Sequence, residues 1–208
     1  TNIIQTSDNG YMVIGFSDSD ISGEKTEPTN GHWGFWILKL DAAGEIQWQK
    51  SLGGSSAEAT YRVKESLEGG YFISGYSYSN ISGDKTEDSR GFGDYWIIKI
   101  NDVGIIEWQN TIGGSGHERI PFAVQNNNGD YLIAGSSGSD ISGEKSENSR
   151  GGFDYWIVKH FQTLSIDENS FYNQLSIFPN PTQNKLSIDS KDQIINTVNV
   201  YSLNGSLI

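Results

Sequence analysis

The stretch "DSDISG", residues 18–23, has the residue types of a metal loop. Asp18, Asp20 and Ser22 alternate as oxygen donors before Gly23, which resembles the opening of a calcium loop. The same residues also shape turns, through side-chain-to-backbone hydrogen bonds. The turn reading has the stronger claim. The position of Asp18 becomes Tyr78 and Gly138 in related stretches, and no bidentate Glu follows at the required spacing. Calcium is the one cofactor the sequence suggests, and no other is expected. His32, His117 and His160 stand at unrelated positions and make poor metal or catalytic candidates. Glu58 and Glu118 recur beside "GGS". A paired-carboxylate hydrolase needs two carboxylates converging on one cleft. Recurrence points instead to a structural partner, with Lys39 and Lys99 as candidates. "GGSG" at 113–116 leads into no helix, so it is no phosphate cradle. No nucleophile motif is visible. No catalytic residue is assigned, and the chain is not expected to be an enzyme.

Six tryptophans raise the question of sugar stacking. Trp36, Trp48, Trp96, Trp108 and Trp156 lie at recurring strand positions, where a ring belongs to a core. Trp33 is different: it sits in a loop between His32 and Gly34 and is the candidate ligand contact.

The elements behind these residues are set by a repeat. "FWILKL" at 35–40, "YWIIKI" at 95–100 and "YWIVKH" at 155–160 align without gaps. "DISGEK" at 20–25 returns at 80–85 as "NISGDK" and at 140–145 unchanged. The period is 60 residues, and Gly15, Gly75 and Gly135 keep it. Each unit reads as four short strands, roughly 62–66, 71–77, 95–101 and 106–112 in the second. The strand at 95–100 is apolar on both faces and must lie between two layers. Mid-strand glycines mark places where a neighbouring backbone or ring comes close. "SDNG" at 7–10, "LEGG" at 67–70 and "NNGD" at 127–130 read as tight hairpin turns. "DAAG" at 41–44 and "NDVG" at 101–104 place Gly where a positive φ closes a type I turn with a bulge. No sustained 3.6-residue pattern with caps occurs, so no helix is expected.

The expected fold is all-β: a partial β-propeller-like array of four-stranded antiparallel blades over residues 1–162, with units at about 1–60, 61–120 and an incomplete 121–162. A linker is expected at 163–174 and part of a β-sandwich at 175–208. Propellers need four to eight blades, so the array reads as an arc of a longer protein with its true N-terminus upstream of Thr1.

Composition limits the partners. A net charge of −12 argues against nucleic acid, which requires clustered Lys and Arg. No apolar run is long enough to span a membrane. The absence of cysteine excludes disulfides and thiolate chemistry.

Two of the chain's four prolines fall in "IFPNPTQNKLSI", residues 177–188. Pro179 and Pro181 cannot donate to a ladder, so they end one strand before Leu186 and Ile188 begin another. With "VNVYSLNGSLI" at 198–208, this segment resembles the C-terminal sorting domain of proteins exported by the type IX (Por) secretion system of Bacteroidota. The resemblance rests on Phe178, Pro179, Asn180, Pro181, Leu186, Ile188, Val198, Val200, Tyr201, Leu203 and Gly205. The repeats resemble the propeller-like units of about 60 residues common upstream of such domains. The resemblance implies recognition by the outer-membrane type IX machinery and a secreted or outer-surface location. Three roles then stand open: a non-enzymatic binding or adhesion module for a glycan or surface protein; the accessory region of a larger exported hydrolase; and an enzyme whose site lies on the propeller axis.

Overall fold

The structure, a computed structural model, describes residues 1–127 and 129–160, together with the backbone of 176–178 and 187–189. The chain divides into two compact units, 1–162 and 163–208. The first contains three antiparallel sheets. Sheet 1 runs β1 (Asn2–Gln5), β2 (Tyr11–Ser17), β3 (Gly34–Leu40) and β4 (Ile46–Leu52), each paired with the next. Sheet 2 repeats this order with β5 (Glu58–Glu65), β6 (Tyr71–Ser77), β7 (Asp94–Ile100) and β8 (Ile106–Ile112). Sheet 3 contains β9 (Glu118–Gln125), β10 (Tyr131–Ser137) and β11 (Asp154–His160). No helix occurs among the described residues.

The sheets stack face to face in chain order. Met12, Ile14, Phe35 and Ile37 of sheet 1 share one core with Tyr71, Ile73, Trp96 and Ile98 of sheet 2. Phe72, Tyr95 and Ile97, on the opposite face of sheet 2, share a second core with Tyr131 and Ile133 of sheet 3. Every residue of β7 is therefore buried, as its two-faced apolar sequence requires. The mid-strand glycines explain how the layers approach. A Cβ on Gly75 would lie 2.5 Å from the Phe35 ring, and one on Gly135 would lie 2.5 Å from the Tyr95 hydroxyl. Each of these glycines receives a ring from the preceding sheet.

The turns follow the sequence. Gly44 and Gly104 take φ of 87° and 82°, and the ladder shifts register just before each turn, between Lys39 and Leu40 and between Lys99 and Ile100. In "SDNG" the positive φ falls on Asn9 instead of the glycine. The first strand of the second unit starts at Glu58, four residues earlier than its hydropathy suggests. The cause is a bulge between Thr60 and Arg62, which slips the inside–outside alternation and hides the start of the strand.

In the second unit, β12 (Ser176–Phe178) pairs antiparallel with β13 (Ser187–Asp189), aligning Ile177 with Ile188. The first of these strands ends immediately before Pro179, as a residue without an N–H dictates. The expected linker at 163–174 and the strands expected after 190 lie outside the described residues.

Candidate functional site

The long loop between the second and third strands of each sheet organises the polar chemistry. Its lysine folds inward: Lys25, Lys85 and Lys145 are all buried. Lys25 Nζ donates to the Ser19 carbonyl and to Thr29 Oγ1, and Lys85 Nζ donates to Thr111 Oγ1 at 2.8 Å and to the Glu87 carbonyl. Burial lowers the pKa of both ammonium groups. Gln49 and Gln109 fasten the loop to its own sheet. Each accepts from a tryptophan Nε1 (Trp36, Trp96) and donates to a loop carbonyl, Glu24 or Asp84.

The next set of bonds crosses between sheets, and it occurs twice. At the first junction, Gly53 N–H donates to Asp84, Ser55 N–H to Ser82 and Ser56 N–H to Ser79. At the second, Gly113 donates to Glu144, Ser115 to Ser142 and Gly116 to Ser139. A buried glutamate closes each clamp. Glu58 accepts from Gly54 N–H, Ser77 Oγ and Ser79 Oγ. Glu118 accepts from Gly114 N–H at 3.0 Å and from Ser137 and Ser139 hydroxyls at 2.6 Å each. The "GGS…E" turn of one unit is thus bolted to the "S-x-I-S-G-D/E-K" loop of the next.

This corrects the pairing expected for the recurring glutamates. Glu58 does not reach Lys39. That lysine is held by Asp8 at 2.8 Å and by Gln47, and Lys99 by Glu107 at 2.7 Å and the Gly69 carbonyl. Lys39 and Lys99 sit at the far end of their strands, beside the hairpin turns. The clamp was missed because it joins residues about twenty to thirty apart with no apolar pattern. Its signal was the recurrence of Glu, Ser and Ser at fixed offsets.

At the second junction an additional carboxyl is buried with Glu118. Asp94 Oδ2 accepts from Arg90 N–H at 2.6 Å, while its buried Oδ1 meets no donor. Burial, reinforced by the neighbouring Glu118 carboxylate, pushes the Asp94 pKa up to about 6. Asp154 holds the same position in sheet 3, and hydrogen bonds from Arg150 N–H and Ser149 lower its pKa instead. The sign of the consequence is definite. Between the ordinary pKa of 3.8 and about 6, folded Asp94 retains a proton that the unfolded chain releases. Its contribution to stability is present below that window and is lost as the pH rises through it. Asp94→Asn is expected to raise the melting temperature above pH ~6 and to leave it little changed below pH ~4. The difference between the wild-type and variant Tm–pH profiles checks this.

The remaining predicted residues are also placed. Ser22 donates its hydroxyl to the Asp20 carbonyl at 3.2 Å, and the Lys25 ammonium occupies the interior of the same loop. Among the described residues, no three acidic or histidine side chains gather around one point, and Asp18, Asp20 and Ser22 do not form such a group. Each histidine packs on an aromatic ring: His32 on Trp33, His117 between Tyr78 and Phe92, and His160 on Trp108. The repeat tryptophans line the sheet contacts, with Trp96 fully buried and Trp48 edge-on to Tyr71.

Trp33 behaves differently. It is 43% exposed, with Phe16 against it at 5.6 Å between centroids. Its counterparts by the 60-residue period are Gly93 and Phe153. The ring of Tyr78 covers Gly93, and the ring of Phe153 lies over Gly138, the counterpart of Tyr78. Glycine and aromatic exchange places between units, so the loop end of each sheet retains a ring. Arg119 lies over Phe153 at 4.7 Å from the centroid.

The sorting motif Phe178, Pro179, Asn180, Pro181, Leu186, Ile188, Val198, Val200, Tyr201 and Gly205 lies in the second unit, where only the backbone of β12 and β13 is described. Comparison with known proteins bears on both parts of the chain. The regulatory protein FlaEY of Caulobacter vibrioides is 23% identical over 157 residues. That alignment covers 71% of this chain but only 16% of the relative, so the chain spans a small part of its length. Residues 176–208 match the secretion system C-terminal sorting domain, across all the motif positions named above. The chain therefore ends in a type IX sorting domain, and it is a protein delivered by that system to the exterior, secreted or on the outer cell surface.

Proposed function

We propose that the stacked sheets are successive blades of a propeller-like array and act outside a Bacteroidota cell as a non-enzymatic binding or adhesion module. The proposed ligand is a glycan, taken by the rings at the loop end of the sheets. The observation that carries this reading is that each of the three units has an exposed ring at its loop end, despite changing positions. Trp33 before β3, Phe92 before β7 and Phe153 before β11 are 43%, 67% and 48% exposed. A ring needed only for packing would be covered. Exposed aromatic rings match the apolar faces of sugars. The buried glutamates support the non-enzymatic role, since their oxygens are fully engaged in clamps between sheets.

A glycan array probed with the 208-residue chain tests this. Binding to a restricted set of glycans is expected, with roughly tenfold or greater loss in Trp33→Ala, whose partly exposed ring supports no core. Equal binding by the wild type and Trp33→Ala would remove the Trp33 ring from the function. The alternative reading is an accessory region of a larger exported hydrolase. On that reading the exposed rings would hold substrate for a catalytic domain elsewhere.

A further inference from the structure

Residues that build the fold keep the 60-residue period, as Trp36, Trp96 and Trp156 do, or Gln49 and Gln109, or Glu58 and Glu118. One group of rings does not. Tyr61 lies 5.8 Å from Tyr76 between centroids, and Tyr76 lies 5.4 Å from Tyr78. His117 continues the run, 5.8 Å from Tyr78 and 5.2 Å from Phe92. The five rings follow one another without a gap. By the period, Tyr76 becomes Phe16 and Ser136, Tyr78 becomes Asp18 and Gly138, and Phe92 becomes His32 and Gly152. Tyr61 becomes Thr1 and Pro121, and His117 becomes Ala57. The other two units fold without such a run, so a repeat core does not require it.

The run belongs to the junction between sheets 2 and 3 and involves the outer face of neither sheet 1 nor sheet 3. Tyr61 lies in β5 and Tyr76 in β6, Tyr78 follows β6, and His117 immediately precedes β9. The backbones of Gly93 and His117 form a bridge, and the Tyr78 ring covers Gly93. Phe92 is 67% exposed and the other four rings are half-buried, so all five keep some surface open. Burial raises the pKa of Tyr76 and Tyr78, which keeps both phenols protonated and able to donate. Successive rings are turned by 33°, 90°, 73° and 21°. A flat crystalline surface needs coplanar rings, and these are not coplanar. A turning run fits the turning faces of a single chain.

We propose that this run binds several consecutive sugars of a single, linear, neutral β-1,4-linked polysaccharide chain. The spacing of the rings is close to the repeat of one pyranose along such a chain, and the linkage turns each sugar relative to the last. The apolar pyranose faces meet the rings, while the Tyr76 and Tyr78 hydroxyls meet sugar oxygens. A net charge of −12 disfavours a polyanionic chain. This inference rests on the glycan reading and names the class of glycan: a run of sugars in a soluble chain, not an isolated sugar or a crystal face.

Isothermal titration of the 208-residue chain with cello-, xylo- and manno-oligosaccharides of one to six sugars tests this. At least one series is expected to bind, with affinity rising roughly fivefold for each added sugar until the run is filled. Phe92→Ala changes an exposed ring that supports no core, and it is expected to weaken hexasaccharide binding roughly fivefold at unchanged melting temperature. Phe92→Trp should restore the binding. Crystalline cellulose should not retain the chain. Affinity independent of length, or Phe92→Ala binding as the wild type does, overturns this inference and leaves the glycan reading standing on Trp33. So does binding on the glycan array with no heat from any of the three series. Retention on crystalline cellulose overturns the single-chain ligand. A chain that binds no glycan at all overturns both readings.

Discussion

A chain ending at residue 175 is expected to fold its sheets normally and to remain inside the outer membrane. The sheets of residues 1–160 contain their own cores and clamps, and the sorting domain forms a separate compact unit. Removal of 176–208 therefore deletes the export signal without touching the repeat cores. The loss of delivered protein should be nearly complete, because the sorting domain is the part of the chain that the secretion machinery handles. Fractionation of cells expressing the full and shortened chains, with melting of the shortened chain as a folding control, checks this result. Replacing Pro179 and Pro181 by Ala probes the same domain more finely. The substitutions restore two N–H groups and relax φ where a strand must stop, so delivery should fall while the repeats melt unchanged.

Glu118→Ala is expected to destabilise the repeats by about 4 kcal/mol. The substitution strands Gly114 N–H and the Ser137 and Ser139 hydroxyls inside a contact between sheets. A buried donor left without a partner costs roughly 1–3 kcal/mol, and the hydroxyls recover part of this by rotating. Against a total stability of roughly 5–15 kcal/mol, the loss is large. The melting temperature should fall by about 10 °C, given roughly 2–4 °C per kcal/mol for a unit of this size. Glu118→Gln is expected to cost less, since one oxygen still accepts from the serines while the amide N–H group opposes Gly114 N–H. Glutamine should also reduce the elevation of the Asp94 pKa, because the neighbouring negative charge is gone. A calorimetric series of wild type, Gln and Ala separates these effects.

Much of the fold was legible because it rests on patterns that recur with the period. The two-faced apolar run of β7 required a layer on each side, and both are present. Gly75 and Gly135 marked close approach, and each lies under a ring from the preceding sheet. The turn glycines Gly44 and Gly104 required positive φ and have it. The start of β5 was hidden because its bulge breaks the period of two on which strand recognition depends. The clamps were hidden for another reason: hydrogen bonds over twenty to thirty residues leave no mark in hydropathy. Recurrence alone pairs Glu58 with Lys39, and it says nothing about which end of a strand a side chain occupies. The contrast between Asp94 and Asp154 could not be read at all. The residues are identical and period-matched, and burial beside Glu118 on Asp94 and the Ser149 hydroxyl on Asp154 separate them. The sorting segment was the most legible feature, since prolines fix backbone geometry locally and leave a compact signature.

The central claim is that the repeats bind a glycan and do not cleave it. Isothermal titration of a polysaccharide chosen from the array, followed by sizing of the polymer from the same cell, tests both halves together. The account predicts saturable heat for the wild type, its loss in Trp33→Ala, and a polymer of unchanged length. Shortened polymer, or no saturable heat from a chain that melts as a folded protein, would contradict it.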